Sequence, residues 1–184
     1  MLNQVFGTLA WPTAAVLGTA LSLVGAHESL AQEKCQRKLD NSGAESKYTE
    51  QHAMDVGDVV GHQIRIFETH RTFASDQPNC EGLKRKESWA HGYSDYIDRN
   101  GRAWGYNVII FENGDKIFGE FAGTSLTVLT KDGEKQSTFV GVTKYTGGTG
   151  MYQGVRGISQ SNIRFDPIAN VNISESEEEY WITK

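Results

Sequence analysis

From His62 onward the chain alternates short extended runs with clusters of turn residues, and the runs are rich in β-branched and aromatic side chains. No stretch beyond His52 sustains an apolar period of 3.6 residues. The pattern predicts strands over 62–73, 84–97, 102–112, 115–130, 135–145, 158–166 and 171–183. Turns at Ser75 to Asn79, Asp98 to Gly101, Asn113-Gly114, Lys131 to Glu134 and Pro167 separate them, and a short helical turn is expected around Thr149 to Val155. Such spacing argues for an all-β antiparallel barrel or sandwich.

The turns also predict which side chains share a face. Asn113-Gly114 is the strongest hairpin signal, because Asn then Gly best tolerate the positive φ of a two-residue type I′ turn. That turn would set Ile110 opposite Ile117, Tyr106 opposite Phe121 and Asn107 opposite Glu120. One face then carries Trp89, His91, Tyr93, Trp104, Tyr106, Ile117 and Phe121, and the other carries Ala90, Gly92, Ser94, Gly105, Asn107, Ile109 and Phe111. Burial alone sends the bulky face into the core, since each large apolar side chain gains about 1.5–3 kcal/mol on leaving water. An interior lined by the small face would instead leave room for a ligand and expose a bulky face that other subunits could cover. The pattern leaves both open.

The first residues are of another kind. Residues 14–26 read AAVLGTALSLVGA, an uncharged run too short to cross a bilayer and sized for a secretory signal. A small-x-small site at Ser29-Leu30-Ala31 predicts a signal peptide over 1–31 and a secreted or periplasmic protein without a transmembrane segment after processing. Residues 32–50 are polar and without period, and read as a flexible arm ahead of a β-domain over 51–184. In an exported chain the two cysteines, Cys35 and Cys80, predict one disulfide. The formal charge of −5 is spread along the chain with no basic concentration, which argues against a nucleic-acid partner. Twenty Gly against three Pro fit many tight turns.

Thr146 to Gly157 reads TGGTGMYQGVRG. This segment resembles the Gly-Gly-x-Gly-x-aromatic-x-Gly-x-x-Gly stretch of the allene oxide cyclase-like barrels, a group that includes the plant dirigent proteins. Gly101-Arg102-Ala103-Trp104 through Phe111 is similar to the central hairpin of the cyclases, and Ile66-Phe67-Glu68-Thr69-His70 to their first strand. The resemblance covers roughly residues 62–160. It implies an antiparallel closed β-barrel of about eight strands with a central cavity, and a homo-oligomer, since the plant enzymes are trimers. It also implies a pocket Glu at Glu68. The cyclases have Asn where this chain has His70, and a pocket Cys where it has Ser94. Residues Gly147, Gly148, Gly150, Gly154 and Gly157 read as structural glycines, for positive φ and close backbone approach.

Candidate chemistry follows. Glu68 and His70 lie on one face of a strand, about 6.6–7 Å apart, and are the catalytic candidates, against the alternative of a solvent-facing polar stripe with Thr72. Ser94, Asn107, Ile109, Phe111 and Glu120 are the ligand-binding candidates. The five His form no metal-binding spacing, no Gly-x-Ser-x-Gly elbow occurs, and no metal or cofactor is implied. The first expectation is a barrel that binds an apolar small molecule. The alternatives are an isomerase or cyclase for a reactive lipid-like or polyketide-like substrate, a dirigent-like protein, and a structural interaction module.

Overall fold

The computed structural model describes residues 33–41, 44–166 and 171–183, so the expected signal peptide lies outside the described residues. Among the described residues nine strands form one antiparallel sheet. They are β1 Cys35–Asp40, β2 Glu45–Asp55, β3 His62–Thr72, β4 Arg85–Ile97, β5 Asn100–Phe111, β6 Lys116–Leu129, β7 Lys135–Gly148, β8 Val155–Asp166 and β9 Val171–Ile182. The order across the sheet is β1-β9-β8-β7-β6-β5-β4-β3-β2. Seven strands match the predicted runs to within a few residues, and a 3₁₀ turn at Gly150–Tyr152 occupies the expected helical turn.

Two expectations change. The polar stretch 32–50 holds β1 and the first part of β2 rather than a plain arm. Every residue of β2 is exposed, so its polarity reflects an edge position in which the β3 ladder, not an apolar face, holds the backbone. The sheet is also not closed into a barrel. β1 pairs with β9 and β2 with β3, and among the described residues no ladder joins β1 to β2.

Side chains span that seam instead. Arg71 on β3 reaches Ser174 Oγ on β9 at 3.4 Å, although five strands lie between β3 and β9 in the sheet. Arg85 on β4 donates to Asn41 Oδ1 at 2.7 Å, and Arg37 on β1 donates to the Gln77 carbonyl at 2.9 Å. The expected disulfide joins Cys35 of β1 to Cys80 of the β3–β4 loop. The sheet is thus curled far enough for its inner face to meet itself.

The turn at Asn113-Gly114 is not the predicted two-residue loop. Phe111 N–H donates to the Asp115 carbonyl at 2.9 Å, enclosing three residues, and Gly114 has φ 88°. This is the loop in which a type I turn is followed by a left-handed residue. Asn113 favours it by accepting the Asp115 N–H at 3.0 Å. The extra residue slips the register by one, so that Ile117 faces Ile109, Phe121 faces Gly105 and Glu120 faces Tyr106. A two-residue turn does occur at Asp98-Arg99, where both φ values are positive at 48° and 67°. It keeps the predicted odd-to-even pairing, Tyr93 with Trp104.

The small face points inward. Ser94 and Ala103 are 1% and 3% exposed, whereas Tyr93, Trp104 and Tyr106 on the other face are 42%, 36% and 60% exposed. The burial argument for a bulky interior is overturned. On a tightly curled sheet the concave side has little room, so rings enter only where a strand offers glycine. A Cβ on Gly92 would meet the ring tips of Phe67 and Phe121 at 2.6 and 2.8 Å, and one on Gly123 would meet Phe139 Cζ at 2.4 Å.

One side of the curl is plugged by Cys35, Phe111, Ile117, Tyr145, Tyr152, Val155 and Tyr180. The glycine-rich segment builds this plug: Gly150 at φ 53° and Gly154 at φ 82° fold the 3₁₀ turn back so that Tyr152 stacks on Phe111 at 4.4 Å. Gly148 is needed for close approach, since a Cβ there would meet the Lys116 carbonyl oxygen at 2.4 Å. Gly157 also lies at positive φ. Gly147 has neither constraint, because the nearest atom to an added Cβ is a Phe118 ring carbon at 4.0 Å.

Candidate functional site

The concave face gathers four of the five predicted ligand-binding residues. Ser94 from β4 and Asn107, Ile109 and Phe111 from β5 all point inward by the alternation of the strands. Phe111 belongs to the plug rather than to an open surface. Asn107 Oδ1 is buried without a hydrogen-bond partner among the described residues. Glu120 is exposed on the convex face opposite Tyr106, because of the one-residue slip at Asn113-Gly114.

Around them the inner face is polar at the seam and apolar in the middle. Phe67, Phe121 and Phe139 face inward yet are only half-buried. Arg65 donates to Ser94 Oγ at 3.3 Å and to Gln51 at 2.9 Å, and lies against the rings of Tyr48, Phe67 and Tyr96. Arg85 holds both oxygens of Asp76, at 2.6 and 2.9 Å. Burial acts to raise the Asp76 pKa, but the hydrogen bonds and charge of Arg85 outweigh it and hold that carboxyl below its ordinary value. Glu178 is buried, accepts from Tyr145 at 2.6 Å and pairs with Arg37 at 3.2 Å. The acidic run of β9 therefore splits by strand parity. Glu175 and Glu177 are exposed, and Glu178 points in. Burial, and then the Glu178 charge, push the Tyr145 hydroxyl well above its usual range.

Glu68 and His70 lie on the convex face with separate partners. The Glu68 carboxylate accepts from Thr49 Oγ1 at 2.6 Å and pairs with His91 at 2.9 Å. The Thr49 hydrogen bond, with His91 adding to it, lowers the Glu68 pKa. His70 bonds Glu87 at 2.8 Å and stacks on Trp89 with centroids 4.1 Å apart. Ladder register explains this: the inward positions of β3 are the odd ones, Arg65, Phe67, Thr69 and Arg71, opposite Ser94, Gly92, Ala90 and Ser88. The placement implied by the cyclase resemblance, a Glu lining the inner pocket, does not hold for Glu68. The carboxylate instead borders a shallow outer groove of about 220 Å³ with Glu50, His52, Ile66, Tyr93 and Tyr106.

No family model, no curated protein and no solved structure matches this chain. Among the described residues no cluster of His, Cys, Asp and Glu could hold a metal ion, and no helix is long and apolar enough to cross a membrane.

Sequence reasoning missed the inner arginines and serines, Arg65, Arg71, Arg85, Ser137, Ser174 and Ser176, and the Glu178–Tyr145 pair. Strand parity carried the signal for them. Once Ser94 is known to face inward, every second residue along the ladders follows.

Proposed function

We propose that this chain is an extracytoplasmic binding protein of the allene oxide cyclase-like kind, which takes a small apolar molecule on the concave face of its curled sheet. The observation that carries the reading is the half-burial of Phe67, Phe121 and Phe139, which face inward without being covered. Apolar rings beside a few unpaired polar atoms are the usual lining of a ligand site, and Asn107 Oδ1 is such an atom. The Cys35–Cys80 disulfide is compatible with the location. An enzyme reading loses its acid, because Glu68 and His70 stand on the convex side.

The test is titration with Nile red, a neutral apolar dye. Ala90 faces inward between Thr69 and Asn107, and Ala122 faces outward between Trp104 and Val142. Ala90→Leu is expected to abolish dye binding and Ala122→Leu to leave it unchanged. The opposite result would move the binding surface to the convex face and overturn the reading.

A second reading concerns that convex face, where Ile66, Tyr93, Trp104, Ala122 and Val142 form one unbroken cross-strand row. We infer that a second copy of the chain covers it, in the homo-oligomer that the family resemblance implies. Asp95 and Glu120 alternate with Arg102 and Lys144 along its margins, so a twofold-related copy can set acid against base.

A further inference from the structure

The inner arginines are not equally satisfied. Arg37 has Glu178, Arg85 has Asp76 and Asn41, and Arg65 has Ser94, Gln51 and three rings. Arg71 has one long hydrogen bond, 3.4 Å to the hydroxyl of Ser174, and no ion pair among the described residues. A guanidinium carries five N–H donors, and a buried one normally meets a carboxylate. The charge acting on Arg71 is that of Arg85, which is of like sign, and burial together with that charge pushes its pKa down to about 10. The buried carboxylates Asp76 and Glu178 are already committed, Asp76 to Arg85 and Glu178 to Arg37 and Tyr145.

We propose that Arg71 and the Ser174 hydroxyl form an oxyanion site on the concave face, at the seam where β3 approaches β9. A guanidinium fork binds a carboxylate or phosphate through two parallel bonds, and a hydroxyl that accepts from Arg71 keeps its own proton to donate. Ser174 is only 1% exposed, while Arg71 stays partly open to the concave space, so an anion can reach the fork without displacing a strand. The anion is either free, as inorganic phosphate, or the head group of an organic acid whose apolar part lies along the inner face. The site goes beyond the apolar reading above and stands whether or not that reading does.

The experiment is titration calorimetry on the processed protein with three probes: inorganic phosphate, 2-naphthoate and its uncharged analogue 2-naphthol. Phosphate binding identifies a free anion, and naphthoate binding at least tenfold tighter than naphthol identifies an organic acid. Either must weaken at least tenfold in Arg71→Met and several-fold in Ser174→Ala, and hold in Lys131→Met, which removes an exposed cation in the turn between β6 and β7. Met keeps the apolar stem of Arg71 without its guanidinium, and the Nile red titration run on the same variant checks that the concave face is intact. Absence of phosphate binding together with equal affinity for naphthoate and naphthol would overturn the site. So would anion binding that survives Arg71→Met. Loss of Nile red binding in the wild type alone would count only against the apolar reading.

Discussion

The ring of Phe121 on β6 stands over Gly92 on β4, where an added Cβ would meet its Cζ at 2.8 Å, and the ring of Phe67 closes on the same point at 2.6 Å. The glycine is therefore the socket for two rings. Gly92→Val is expected to force both from their rotamers and to destabilise the fold by about 1–3 kcal/mol. Ala122→Val, two strands over on the convex face, should change stability by less than about 0.5 kcal/mol. Urea unfolding of the two variants checks this, and equal midpoints would show that the rings do not depend on the gap.

Asp76 ties the β3–β4 loop to Arg85 in a buried pair, with side chains 6% and 8% exposed. Asp76→Asn leaves the guanidinium without its counter-charge and should cost about 3–5 kcal/mol. The pH dependence follows from the depressed carboxyl. The folded value lies below the unfolded one, so the stabilisation is complete above about pH 3.9, the ordinary value, and is lost as pH falls through the folded value. The difference in unfolding free energy between wild type and Asp76→Asn should be constant from neutral pH to about pH 5 and shrink below about pH 4. A difference that grows on acidification would contradict the sign.

Much of this fold was legible in the sequence because alternation and turn chemistry are local. The seven strands from His62 onward are bounded by Gly, Asp, Asn and Pro clusters that act within a few residues of themselves. What local signals cannot decide is which side of a sheet becomes concave. Tyr93, Trp104 and Tyr106 look like core residues by hydrophobicity, yet the curl that puts them outside is set by glycines 92, 105, 123 and 141 on the other face. The site was partly legible for the same reason. Ser94 and Asn107 follow from parity, but Glu120 was lost to a single residue in the Asn113-Gly114 loop. Glu68 was sent inward by the family resemblance, and its ladder partner His91 stands on the convex face.

The Cys35–Cys80 disulfide closes a loop across 45 positions and pins the short edge strand β1 beside the β3–β4 loop. In the chain-entropy account a loop of that size contributes on the order of 3–4 kcal/mol. Reduction, or Cys35→Ser with Cys80→Ser, should lower the melting temperature by many degrees and expose the edge of β9 that β1 covers. Hydrogen exchange read along β9 tests the second part. Protection of the Ser176 and Glu178 amides, which alternate along β9 with those turned to β8, should fall first, while that of β5 and β6 persists. Uniform loss across all strands would mean that β1 unfolds only with the whole sheet.

Glu68 and its partner His91 offer a separate check on where the chemistry lies. Because the pair is on the convex side, Glu68→Gln should leave concave-face dye binding within about twofold, well under the tenfold change that 1.4 kcal/mol represents. Loss of binding in that variant would place Glu68 in the ligand's path and restore the sequence expectation.

Trp104 sits at the centre of the convex row, with Tyr93 stacked beside it at 5.9 Å and Arg102 over its ring at 5.0 Å. Five neighbouring strands contribute to the row, which spans about 19 Å at ordinary strand spacing. Tryptophan and tyrosine at the middle of an apolar contact surface carry most of the energy in protein contacts, about 2 kcal/mol or more for each such residue. Trp104→Glu puts an unpaired charge there, which a covered interface cannot tolerate but an exposed surface can. The variant should stay folded with a urea midpoint independent of protein concentration and sediment as a monomer, while the wild type sediments as an oligomer and its midpoint rises with concentration. A wild type that stays monomeric at every accessible concentration would leave the row bare in solution and refute self-association through it.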